Sequence, residues 1–148
     1  MEVTQHIIRS TQTEDDAILQ AIKAPCDLLL VFASPAFFSS SSLLTDIIAS
    51  GVPVAGCGTS GEITAGDVRE QSAIFTRIDL KGKGFAHIAV SQVHEEDYFN
   101  CGKALGESLR GDDLKAVIIF TRGIDFVPGE MFDGLHHVLG TDLLICGG

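Results

Sequence analysis

The sequence predicts an α/β fold: a mixed, mostly parallel sheet covered by helices, with a central antiparallel hairpin. Three observations carry that expectation. Short apolar runs alternate with stretches of helical spacing, glycine or proline closes nearly every helix-like stretch, and residues 72–92 interrupt the alternation with two adjoining strand-like runs. At 148 residues the chain has the length of one domain, and 45% hydrophobic against 20% charged residues is a globular composition. One domain over residues 1–148 is therefore expected, and no internal repeat or linker is visible.

Thr13 and Asp16 have the spacing of a capping box, Ala17, Ile18, Ala21 and Ile22 form an apolar stripe, and Pro25 stops the helix. Residues 27–33, DLLLVFA, then read as a strand buried on both faces. The serines at 39–42 offer N-caps to a second helix with Leu43, Leu44, Ile47 and Ile48 inward, and Gly51 closes it before a strand at residues 52–55. A strand, helix, strand unit of this kind is expected to be parallel and right-handed.

Residues 72–80, SAIFTRIDL, and 84–92, GFAHIAVSQ, read as two strands joined by Lys81, Gly82, Lys83 and Gly84, the expected antiparallel hairpin. Residues 97–109 form a helix ended by Gly111, with Cys101, Leu105 and Leu109 on one side, and residues 114–120 return as a buried strand. Pro128 and Glu130 open a further helix with Met131, Phe132, Leu135, Val138 and Leu139 inward and Gly140 as its stop. A last strand, residues 143–146, runs into Gly147 and Gly148, which reads as a chain cut inside a domain.

Charge narrows the partners. A net charge of −10 repels a phosphate backbone and anionic headgroups, so nucleic acid and membrane are not expected. The amino terminus has no apolar core of signal-peptide length, which points to the cytoplasm. Cys26, Cys57, Cys101 and Cys146 are scattered without a C-x-x-C pair, so neither a zinc knuckle nor a redox dithiol is suggested, and no metal site is expected.

Residues 52–66, VPVAGCGTSGEITAG, are the most informative stretch, since four glycines leave the backbone uncovered around Glu62. Gly56, Gly58 and Gly61 satisfy G-x-G-x-x-G after a strand, but the following EITAGDVREQ lacks the helical stripe of a dinucleotide-binding turn. Glu62 stands where a Walker loop wants lysine, and it also occupies the fifth position that a nucleophile elbow at Ser60 would need as glycine. Cys57, between two glycines, is the thiol to test as a nucleophile, with loop amides as an oxyanion hole and no evident base. The alternative is that the glycines merely turn the chain.

Phe32-Ala33-Ser34-Pro35, then Gly56-Cys57-Gly58-Thr59-Ser60-Gly61-Glu62-Ile63, then Gly147-Gly148 resemble the amino-terminal part of a FIST domain, and the likeness covers nearly the whole chain. Family members usually carry serine at the position of Gly58, and they continue past Gly-Gly into a second, carboxyl-terminal half. The resemblance implies a ligand-binding sensory module of signal-transduction proteins, for small molecules such as amino acids, with some members described as haem-based nitric oxide sensors. Its partners would be the FIST C-terminal half or a signalling output domain. On this reading the chain is no enzyme, and residues 56–61 offer backbone donors around Cys57. Thr59 and Ser60 offer hydroxyls, and Glu62 pairs with a ligand ammonium or a structural arginine. Ser34, Arg122 and Gly147 complete the lining, with Arg122 suited to a carboxylate. No cofactor is expected on the main reading; a haem version needs an axial histidine or cysteine, for which His6, His87, His94, His136 and His137 are available.

Overall fold

Alternating apolar side chains build the first sheet. The computed structural model describes residues 1–9, 16–40, 42–64, 66–93, 97–121, 123 and 127–147. They gather into two compact units, Met1–Ala86 and His87–Gly148. The mixed α/β character expected from the sequence holds. Thr13, Ser41, His94, Arg122 and Gly148 lie outside the described residues.

The first unit contains β1 (Glu2–Arg9), α1 (Asp16–Lys23), β2 (Leu28–Ala33), α2 (Pro35–Ser40), α3 (Leu43–Ala49) and β3 (Val54–Gly58). After them come β4 (Glu62–Thr64), β5 (Asp67–Arg69) and β6 (Ser72–Asp79). Its main sheet has the order β1-β6-β2-β3. Strand β2 pairs with β3 in parallel and with β6 antiparallel, and β1 pairs antiparallel with β6 along its length, from Glu2 opposite Asp79 to Arg9 opposite Ser72. Leu29, Val31 and Ala33 alternate into the core, where they meet Ile8, Ile22, Phe37, Leu43, Ile47, Ala73 and Phe75. The Phe37 and Phe75 rings meet edge to face at 6.0 Å.

Four details differ from the expectation. Residues 84–92 carry no strand, so the central hairpin does not form; the partner of β6 is β1, which the sequence reading passed over. The main sheet is consequently more antiparallel than expected. Strand β3 begins later and runs to Gly58, taking Gly56, Cys57 and Gly58 into the sheet. In the α2–α3 region, Ser42 makes no side-chain cap and Ile48 is exposed, although Leu43 and Ile47 are buried and Gly51 closes the turn at φ +79°.

The second unit holds α4 (Tyr98–Leu109), β7 (Ala116–Ile119), α5 (Pro128–Leu139) and β8 (Leu144–Gly147). Asp97 caps α4 by accepting from the Asn100 amide, and Pro128 occupies the first turn of α5. The two helices approach backbone to backbone, since a Cβ at Gly102 would collide with the Met131 carbonyl and one at Gly134 with the Phe99 carbonyl. Tyr98, Cys101, Ile119, Met131 and Leu135 form the core, with Leu105, Phe132, Leu139 and Ile145 packed on it. Strands β7 and β8 are parallel, as expected, but β7 buries only Val117 and Ile119 and leaves Ile118 exposed.

Candidate functional site

The carboxyl ends of β2 and β3 and the start of β6 are tied into one knot. The Thr59 amide donates to the Ala33 carbonyl at 2.9 Å, and the Ser34 amide donates to the Ser72 carbonyl at 3.1 Å. At its centre is Glu62, 1% exposed. One carboxylate oxygen accepts from Thr59 Oγ1 at 2.8 Å, and the other accepts from the Ser72 amide at 3.1 Å and from Ser72 Oγ at 2.6 Å. A buried carboxylate is tolerated only when its oxygens are satisfied, and three donors do so here. Glu62 thus joins the chain after β3 to the first residue of β6. Its partners are hydroxyls and an amide; among the described residues no arginine pairs with it.

Glycine is required at one point of this knot. Gly56 has φ +154°, and a Cβ there would strike the Val31 carbonyl on the paired strand. Gly58 is under no such constraint, because a Cβ would meet only ordinary contacts at 3.9 Å, to the Ala33 carbonyl oxygen and the Phe38 ring. Gly58 and Ser60 are exposed, and Cys57, Thr59 and Gly61 are partly so. The chain therefore presents a short exposed ridge of small residues whose base is fixed by Glu62. The β4–β5 hairpin follows the ridge directly, with Glu62 opposite Arg69.

Ser34 is buried, and its hydroxyl accepts from the Phe37 amide at 3.4 Å, an N-cap arrangement for α2. The structure thus brings Ser34, Thr59 and Glu62 together. Gly147 belongs to the second unit, where a Cβ would collide with the Ile119 carbonyl, so its glycine serves the β7–β8 pairing. Arg122 lies outside the described residues. Sequence reasoning missed Ser72 and Arg69; the serine opening a strand after a glycine-rich loop carried no motif, and β5 was too short to read.

Burial pushes the Cys57 thiol up, the reverse of an activated nucleophile. Of the histidines, His6 lies in β1, His87 in the exposed stretch after β6, and His137 packs at a tilt against Phe99 with ring centroids 5.8 Å apart. Among the described residues no three His, Cys, Asp or Glu side chains are grouped to hold a metal ion, and no helix is long and apolar enough to cross a membrane.

A family model, FIST N domain, matches residues 27–148. The chain belongs to the FIST N domain family. FIST domains are in general sensory domains of signal-transduction proteins. The match begins with Asp27, one residue before β2, and takes in the parallel strand pair, the Glu62 knot and the whole second unit. No curated protein and no solved structure matches the chain.

Proposed function

We propose that this FIST N domain is the ligand-binding part of a cytoplasmic sensory module, which takes a small metabolite at the ridge formed by residues 57–61. The observation that supports this reading most is the division of labour at the strand ends. Thr59, Glu62 and Ser72 spend their polar atoms on fixing the chain, while Gly58 and Ser60 are exposed and carry little or no side chain over their backbone. Loops beyond the carboxyl ends of parallel strands are where ligands gather in open α/β sheets, and a pre-fixed loop loses little entropy on binding. Glu62 is then the support of the site and not its ammonium partner. Ligand occupancy would pass to a FIST C-terminal half or an output domain through the segments that the knot ties together.

The test is a thermal-shift screen of the chain against amino acids and other small metabolites. A ligand at a hundred times its Kd adds about 2.7 kcal/mol to the folded state, a shift well above noise. Stabilisation by one chemical class, lost in Ser60→Pro with folding intact, supports the reading. A well-folded chain that no metabolite stabilises sinks it.

A further inference from the structure

We propose that Arg69 recognises an anionic group, carboxylate or phosphate, on the small molecule taken at the 57–61 ridge, and that this group replaces Asp67 on the guanidinium. The inference rests on the ligand-binding reading above and adds the chemical class of the ligand.

Arg69 ends β5, directly opposite Glu62. Opposed residues of an antiparallel pair project from the same face, so the guanidinium and the buried carboxylate start as neighbours. They do not neutralise one another, because both oxygens of Glu62 are engaged by Thr59 and Ser72. Arg69 turns instead along its own strand, and an Nη contacts the Asp67 carboxylate at 3.0 Å. That partner is loosely held: its side chain is 57% exposed, against 26% for Arg69. Exposed ion pairs of this kind contribute about 0–1 kcal/mol, so a competing anion displaces Asp67 at little cost.

The guanidinium itself is incompletely served. Its Nε is buried and has no hydrogen-bond partner. Part of a cation has thus been taken out of water without a full set of acceptors, and a planar two-oxygen group is the shape that fits a guanidinium edge. The place is also right. A Cβ at Gly61 would lie 3.6 Å from the Arg69 carbonyl oxygen, so the last glycine of the ridge packs against the arginine's backbone. Between Lys23 and Arg77, Arg69 is the only lysine or arginine in the sequence. In a chain of net charge −10, Arg69 is the cation that this segment itself offers to an anionic ligand.

The experiment measures the affinity of the chain for a set of amino acids, for the carboxamide of each, and for inorganic phosphate, by calorimetry at constant ionic strength. The native chain is expected to bind an acid or phosphate and to lose about tenfold or more on its neutral carboxamide counterpart. Arg69→Gln should lose a similar factor, Arg69→Lys less, and Asp67→Asn should gain severalfold by removing the competing carboxylate. Acid binding assigns the group as carboxylate, and phosphate binding with the same pattern of variants assigns it as phosphate. Carboxamides that bind as well as acids, an affinity that Arg69→Gln leaves unchanged, or a weakened Asp67→Asn chain overturns the inference while the ridge survives as a binding site. If no probe binds the folded native chain, this inference falls, and the ridge stands or falls with the wider metabolite screen.

Discussion

Two parallel strand pairs in this chain share one device and part company after it. In β2–β3 and in β7–β8 a glycine of the second strand lies against a carbonyl of the first, Gly56 on Val31 and Gly147 on Ile119. In each pair the helix that leads into the second strand is closed by a glycine of positive φ, Gly51 and Gly140. Residues 51–58 and 140–147 also match as G-x-x-[V/L]-x-x-C-G, but that alignment sets Gly147 against Gly58 and not against Gly56, so the two close approaches fall at different places of the echo. The difference lies in what holds the strands. β2 has β6 on its other side and the chain after β3 is tied back by Glu62, whereas β7 pairs with β8 alone among the described residues and leaves Ile118, Leu144 and Cys146 exposed. The shared glycine is therefore a packing requirement of the strand pair, and the knot is what sets the first pair apart.

The largest expected effect breaks both pairs alike. Gly56→Ala and Gly147→Ala each force a Cβ into a backbone carbonyl, and each should cost more than about 3 kcal/mol in urea denaturation. Amide exchange should rise in β2–β3 for the first and in β7–β8 for the second. Equal and small losses would mean that the strands slide apart freely and that the glycines are incidental.

Glu62→Gln separates the pairs, since only the first has a knot to lose. An amide offers one acceptor oxygen where the carboxylate offers two, and its NH2 faces a donor, so about 1.5–3 kcal/mol should be lost. Ser72→Ala should cost less, and the double variant should fall short of the sum because both act on the same bonds. Additive losses would contradict the knot.

The next effect is a pH dependence confined to the first unit. Burial, and secondarily Arg77, hold His6 below its ordinary value of 6.5. A base with a lowered folded-state pKa binds fewer protons folded than unfolded, so stability is full above about 6.5 and declines as pH falls below it. His6→Gln should flatten that acid limb in a plot of urea midpoint against pH. A limb of unchanged slope would place the titration elsewhere. The smallest effects concern the ridge: Cys57 should react with iodoacetamide more slowly than the exposed Cys146, and Gly58→Ser should change stability by no more than about 0.5 kcal/mol.

The parts of this fold that the sequence disclosed are those whose local signals agree with their packing. Asp97, Pro128 and Gly140 bound their helices where capping chemistry puts them, and the apolar runs of β2, β6 and β7 are strands. Strand β1 escaped notice because EVTQHIIR buries only Ile8; what holds it is pairing with β6, and a pairing partner some seventy residues away leaves no local trace. Residues 84–93 mislead for the opposite reason. Phe85, Ile88 and Val90 have a strand's composition but are exposed, without a ladder to join. At the site, the glycines and Glu62 stood out by composition, yet the role of Glu62 turned on Ser72, ten residues along and unremarkable in type.

The order of strands in the first sheet has a consequence for synthesis. β6 sits between β1 and β2, so the last strand of the sheet to leave the ribosome is the one that must be inserted between two already made. Until Asp79 emerges, β1 has no neighbour and the inner edge of β2 stays open, while β2 and β3 can pair as soon as Gly58 is out. Closure brings Glu2 to Asp79 across most of the unit, a long-range contact of the kind that slows folding. Ser72, the first residue of that late strand, is also the donor that completes the Glu62 knot. The ridge therefore gains its support at the same moment as the sheet gains its centre, and a nascent chain halted before Ser72 has the glycines of the site without the means to hold them.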